Sequence, residues 1–235
     1  MRNRKVYVLY GMLSIILLIL LLAPFLKQQV FSDAPISNKM TLEELQKQKI
    51  RVTYVETMKE WDNASIKAFG EEQLKKAKKC KTVFIVKPTG NLYFNEGLIL
   101  QEVKIEKIVR GKEMSDTIWV RNGLHSTLTY DKEKGEVELS GMNRSFMQIG
   151  CEYLLFCKPF ETNQYSKHKI YTEVDDMWFG CYNLTKSSNK TVSLKKAYYD
   201  PSIEFYVDDK RLLSAFNEAK KKVMEYIRKN FIELL

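Results

Sequence analysis

Residues 6–26, VYVLYGMLSIILLILLLAPFL, run for 21 positions without a charge. A helix rises about 1.5 Å per residue, so this run spans roughly 31 Å, the thickness of a bilayer's hydrocarbon core. The stretch predicts a transmembrane segment in contact with the lipid bilayer, and whatever follows must fold as a domain tethered to it. Arg2, Arg4 and Lys5 precede the run, while only Lys27 follows it closely. The positive-inside rule then keeps residues 1–5 in the cytosol and sends the chain outside from about residue 30. A cleaved signal peptide has an apolar region of about 7 to 15 residues ending in small residues at A-x-A spacing. This run is longer, its best cleavage site (Ser32-Asp33-Ala34) is followed by Pro35, and no cysteine closes it as in a lipoprotein. The expectation is an uncleaved signal anchor in the cell membrane, single-pass, with an extracytoplasmic C-terminal domain.

The anchor also explains much of the charge. Of the net +9, residues 1–31 contribute +4 from four bases and no acid, which leaves the other 204 residues at +5. The folded part is only mildly basic. Its densest run is KKAKKCK, with Lys75, Lys76, Lys78, Lys79 and Lys81 following Glu71 and Glu72. A solvated helix end accounts for such a run, and an anionic partner is the functional alternative. Lysine without interleaved aromatics disfavours nucleic acid. A 45% hydrophobic content with 10 glycines and 5 prolines excludes disordered, collagenous and repeat architectures and suits one filled domain or two small ones.

After a polar stalk at 27–40, the domain is expected over 41–235. Thr41 and Glu44 form a T-x-x-E capping box, which opens a short helix to about residue 49. Residues 50–58 alternate like a strand, and 62–79 read as a helix broken by Gly70. The run 82–87 (TVFIVK) is apolar throughout, a strand buried on both faces and ended by Pro88-Thr89-Gly90. Residues 97–110 place apolar side chains at 98 and 100, then 103 and 105, then 108, so the inward phase slips twice and requires bulges. Further strands are expected at 117–121, at 127–130 and 136–139 as a hairpin, at 152–158 stopping at Pro159, at 169–174 and at 177–183. From about 209 to 231 the period changes: Leu212, Phe216, Ala219, Val223, Ile227 and Phe231 make one apolar stripe of a helix with Asp208 and Asp209 at its positive end.

The segments TVFIVKPTG, EVKIEKIVRGKEMSDTIWVRNG and MQIGCEYLLFCKPF, in that order, resemble the netrin-like/TIMP-like OB-barrel group over residues 80–182. In that likeness Lys107-Ile108-Val109-Arg110-Gly111 stands at a strand end, with Arg110 where lysine is usual, and Gly150 to Phe156 stands in the fourth strand. The resemblance implies a bacterial membrane-anchored member whose fold is mainly β with flanking helices (α+β): a five-stranded OB-like Greek-key barrel with the C-terminal helix packed on it. The group's protease inhibitors use a free N-terminal cysteine, and no cysteine precedes Cys80, so that mechanism is not expected here. Cys151 and Cys157, as ends of one strand, lie too far apart to pair. Cys80 and Cys181 flank the first and last strands, which barrel closure brings together and which the group also ties. A Cys80–Cys181 bridge is the expectation.

No catalytic motif is found. His125 and His168 stand in polar stretches, there is no C-x-x-C, H-E-x-x-H, G-x-S-x-G, P-loop or Rossmann pattern, and the pairs Asp175-Asp176 and Asp208-Asp209 point to opposite faces or cap a helix. No cofactor and no metal site are expected. The leading reading is a membrane-anchored binding module with a protein or envelope-polymer partner outside the membrane. A structural or assembly protein of the envelope is the alternative, and a hydrolase without a recognised motif the least favoured. A groove lined by Tyr, Trp and Lys would separate binding from scaffolding.

Overall fold

Thr41 closes both halves of its capping box: its hydroxyl accepts the Glu44 amide at 3.1 Å, and the Glu44 carboxylate accepts the Thr41 amide at 2.7 Å. The turn so started is α1 (Leu42–Gln46), preceded by β1 (Lys39–Thr41) and followed by β2 (Ile50–Thr53). The computed structural model describes residues 39–53, 61–95, 98–121, 127–131, 133–141, 144–160, 169–174, 180–185, 190–191 and 197–231. The chain divides into Met1–Ser37 and Asn38–Leu235. The expected anchor at 6–26 and nearly all of the stalk lie outside the described residues, and among those described no helix is long and apolar enough to cross a membrane.

The fold is mainly β with a C-terminal helix. After α2 (Asn63–Lys79) come β3 (Thr82–Asn95), β4 (Leu98–Arg110), β5 (Thr117–Arg121), β6 (Thr127–Asp131), β7 (Glu136–Ser140), β8 (Tyr153–Pro159), β9 (Ile170–Glu173) and β10 (Cys181–Asn183), and α3 (Lys210–Phe231) is the last described element. Seven strands form one sheet in the order β1-β3-β4-β5-β9-β8-β10, and β3 pairs with β8 as well. The pairings β3–β4–β5–β9–β8 thus return to β3. All are antiparallel except β5–β9. A separate sheet of order β2-β7-β6 carries the expected hairpin, with β2 added in parallel.

Two apolar clusters share the walls of this ring. Phe84 and Val86 of β3, Val103 of β4, Ile118 and Val120 of β5, Leu155 and Cys157 of β8 and Tyr171 of β9 pack on one side. Val83, Ile85, Val109, Leu154 and Phe156 face the other way, onto Phe69 and Ala77 of α2 and Leu212, Phe216, Ala219, Val223 and Ile227 of α3. Both β3 and β8 are therefore buried on both faces, which is why their apolar runs are unbroken.

Several expected boundaries move. Gly70 does not break α2, because the helix is secured by its buried face: Phe69 and Ala77 pack against α3, and an interior glycine costs only about 1 kcal/mol. β3 does not stop at Pro88-Thr89-Gly90 but passes through them with a register shift between Pro88 and Leu92. Gly90 has φ +94°, and a Cβ there would meet Ile149 Cδ1 at 2.9 Å, so only glycine lets the strand continue. The phase slips of β4 are real: Val83 opposes Arg110 and Phe84 opposes Ile108, then Ile85 opposes Lys107 and Val86 opposes Ile105, leaving Val109 and Glu106 as the extra residues. After the second slip it is Val109 that is buried, while Ile108, expected inside, is exposed. β8 includes Pro159 rather than stopping before it; of the expected strand 177–183, Cys181–Asn183 is strand and 177–179 lie outside the described residues.

The two long helices run parallel. Arg211 donates to Asn63 Oδ1 at 3.0 Å, Gly70 lies against Ala219 and Lys222, and Lys78 Nζ sits 5.5 Å over the Tyr226 ring. Both helices consequently end at the same end of the molecule, where Arg110 closes α2: its guanidinium donates to the carbonyls of Ala77, Lys78 and Cys80 at 3.3, 3.1 and 2.6 Å and to the Tyr226 hydroxyl at 3.1 Å. A forked cation serves these several acceptors at once; lysine, as a point charge, has no such fork.

Candidate binding face

The bulge in β3 shapes the opposite, outward side of the sheet. Glu102 of β4 accepts hydrogen bonds from Thr89 Oγ1 and Asn91 Nδ2, both at 2.7 Å, which fixes the bulged segment across the strand pair. The strand then emerges with Tyr93 opposite Leu100, and Leu100 opposite Arg121. In β5 the residues alternate: Ile118 and Val120 are buried, while Trp119 and Arg121 are half-buried on the other face. Tyr93 and Trp119 meet edge to face at 6.3 Å, and the Arg121 guanidinium lies 5.6 Å over the Phe160 ring. Three aromatic rings and an arginine thus line one stretch of sheet with Glu102 and Lys104 beside them, each neither sealed in nor fully solvated except the exposed Lys104. Such a surface can offer ring faces to a ligand and a planar cation to its polar edge.

The loop beyond β4 is pinned. Glu113 accepts hydrogen bonds from the amides of Met114 at 2.7 Å and Ser115 at 2.9 Å, and it binds Lys169 and the Tyr171 hydroxyl. Burial pushes this carboxyl up, but the bonds from Lys169, Tyr171 and the two amides outweigh it and hold it at about 2. A carboxylate depressed in the folded state stabilises it above the unfolded value near 4.5 and loses that contribution as pH falls toward 2. Glu113→Gln is expected to cost about 1–3 kcal/mol at pH 7. Its melting temperature should converge on that of the wild type between about pH 4.5 and 2. A deficit independent of pH across that window in thermal melts would show that the carboxylate charge is not what pins the loop.

The cysteines stand differently from expectation. All four are free and buried. Cys80 belongs to the helix side of the ring walls and Cys181 to the other side with Cys151 and Cys157. A bridge between Cys80 and Cys181 would have to cross the sheet, so the expected disulfide is not formed. Cys80 Sγ instead donates to the Thr82 carbonyl at 3.1 Å. Burial pushes the Cys80 and Cys157 thiols up and takes Cys181 to about 12, far from the reactive thiolate range.

Lys75, Lys76, Lys78, Lys79 and Lys81 do lie at a helix end, and none of them is in an ion pair among the described residues. Asp209 accepts the Arg211 amide at 2.7 Å at the start of α3, as a cap should. His125, His168 and Asp175-Asp176 lie outside the described residues. Among the described residues no group of three or more His, Cys, Asp or Glu side chains could hold a metal ion.

The sequence reading missed two buried ion pairs, Arg144 with Glu173 and Lys220 with Glu204, all four side chains nearly inaccessible. Glu173 also accepts the Gly180 amide at 2.8 Å and Glu204 the Asn183 amide at 3.0 Å, so both carboxylates fasten the chain around β10. Arg144 and Glu204 border a cavity of about 20 Å³ that Tyr153, Cys181 and Asn183 also line, room for a single water. This is a structural junction, not a ligand site. The face around Trp119 was also missed. Its only signal in the sequence is the alternation of TIWVR, which puts Trp and Arg on the same side of a strand whose other side is apolar.

Comparison with known protein families, with curated proteins and with solved structures finds no match to this chain.

Proposed function

We propose that the chain is a membrane-anchored, extracytoplasmic binding module built on an OB-like Greek-key barrel. The ring of pairings β3-β4-β5-β9-β8, with its one parallel pair and its doubly bulged β4, supports the barrel and the netrin-like/TIMP-like kinship. The 21-residue uncharged run supports the tether. The observation that carries the binding reading is the outward cluster of Tyr93, Trp119, Arg121 and Phe160. An envelope scaffold has no need to keep rings and a guanidinium half-open on one face, whereas a ligand site does.

The test is site-specific cross-linking in the full chain in membranes of its own host. A photoreactive residue at position 119 is expected to give one discrete adduct, lost on Arg121→Glu, while the same residue at exposed Thr127 on β6 gives none. Adducts from 127 alone, or none from either site, would sink the binding reading in favour of a scaffold.

A further inference from the structure

The parallel helices and the loop beyond β4 bring separate parts of the chain to one end of the molecule. Lys78 and Lys79 end α2, Lys81 follows, and Arg228 and Lys229 end α3, whose Tyr226 lies under Lys78. Gly111, at φ +94°, packs against this end: a Cβ on it would stand 3.1 Å from the Lys81 carbonyl, so Lys112 joins the cluster. Each helix C-terminus carries about half a negative charge, so two of them together offset only about one of these six cations. None of the six is in an ion pair among the described residues, and the exposed acid of the loop is Asp116 alone. Charge compensation among the described residues leaves most of the patch unused.

At its edge stands Met114, 96% exposed. Its exposure is enforced, because Glu113 accepts the Met114 amide and is itself held by Lys169 and Tyr171, so the loop cannot fold the methionine inward. An outward apolar tip on a rigid loop, bordered by lysines, matches the chemistry of an anionic bilayer surface: phosphate head groups for the cations and acyl boundary for the thioether.

We propose that this end of the domain docks on the anionic lipid surface of the membrane that holds the anchor, with Met114 entering the interface. The proposal rests on the anchor reading. The reach is sufficient: Lys39 pairs with Tyr93, at the far end of β3 from Thr82, and the eleven residue steps from Thr82 to Tyr93 span at most about 36 Å. The twelve residues of 27–38 reach up to about 40 Å when extended, so the lysine end can lie on the bilayer. Tethering raises the local concentration of head groups, so a weak patch suffices.

The test uses the full chain in nanodiscs, with Met114→Cys carrying an environment-sensitive dye; the four native thiols are buried and stay unlabelled. In discs with about a third phosphatidylglycerol, the dye is expected to be quenched by spin-labelled lipid. Quenching should weaken roughly fivefold for each of Lys81→Gln and Lys112→Gln, and it should vanish at 1 M salt. A dye at Ile149→Cys, beside Gly90 at the other end of β3, should not be quenched. Equal quenching in neutral phosphatidylcholine, none in either disc, or equal quenching at 114 and 149 would overturn the proposal. So would a dye response to added soluble polyphosphate without quenching by lipid, which would assign the patch to a polyanion. Failure of the anchor reading is distinguishable, since the protein would then not enter the discs at all.

Discussion

Phe216→Ala is expected to lower the melting temperature by roughly 6–20 °C. The side chain is fully buried in α3 and is the point where three parts of the chain meet: the Phe69 ring of α2 lies 5.1 Å away, Phe205 of the preceding segment 5.7 Å and Trp61 6.5 Å. Removing a buried phenyl ring forfeits its transfer free energy and leaves a cavity, about 3–5 kcal/mol together. For a domain of this size each kcal/mol moves the midpoint by about 2–4 °C. Because the three neighbours are themselves large rings held by other contacts, they cannot collapse into the space, which places the cost toward the upper end. Phe216→Leu, which keeps most of the volume, should recover more than half of the loss. A melting point unchanged by the alanine would mean that α3 is not part of the core, and the helix face would then be a partner-binding surface.

The C-terminal helix is legible in the sequence because its stripe, Leu212 through Ile227, has one period and one buried face. The same logic fails wherever burial is decided by more than one neighbour. β3 reads as ending at Pro88 because proline and glycine signal a turn. Whether a turn or a bulge results depends on Glu102, fourteen positions downstream, bonding Thr89 and Asn91. Ile108 reads as inward because it is apolar, yet the second slip of β4 is set by its pairing with Val83 and Phe84, and the slip hands the buried position to Val109. The Cys80–Cys181 expectation follows from strand adjacency, and adjacency is correct to within one strand. What the sequence cannot supply is side-chain parity relative to the sheet, and parity puts the two sulfurs on opposite sides. The candidate face was hidden for the same reason: Tyr93, Trp119, Arg121 and Phe160 are scattered over nearly seventy residues and converge only through the register of β3, β4, β5 and the segment after β8.

Charge inside the core is the least legible feature and has a consequence as large as that of Phe216. Lys220 stands on the apolar stripe side of α3 and is almost inaccessible; it donates to both oxygens of Glu204, at 3.0 and 2.8 Å. Burial pushes the Glu204 carboxyl up, more than the Lys220 charge, its hydrogen bonds and the Asn183 amide pull it down. Lys220→Met fills the same volume but leaves Glu204 buried with Arg144 as its remaining cation among the described residues, and losing one partner of a buried pair typically costs about 3–5 kcal/mol. The sign with pH follows from the raised carboxyl. A group whose folded value lies above its unfolded one favours the folded state fully below the unfolded value, near 4.5, and loses that as pH rises through the folded one. In the variant the folded value rises further, so its deficit against wild type should be small at pH 4 and grow as pH rises. Adding Glu204→Gln, which keeps an acceptor for the Asn183 amide, should restore most of the stability and remove the pH dependence. Urea unfolding of the two variants across that range decides the matter: a deficit equal at pH 4 and pH 8, or no rescue by the second substitution, would show that Lys220 stabilises α3 by packing and not by neutralising Glu204.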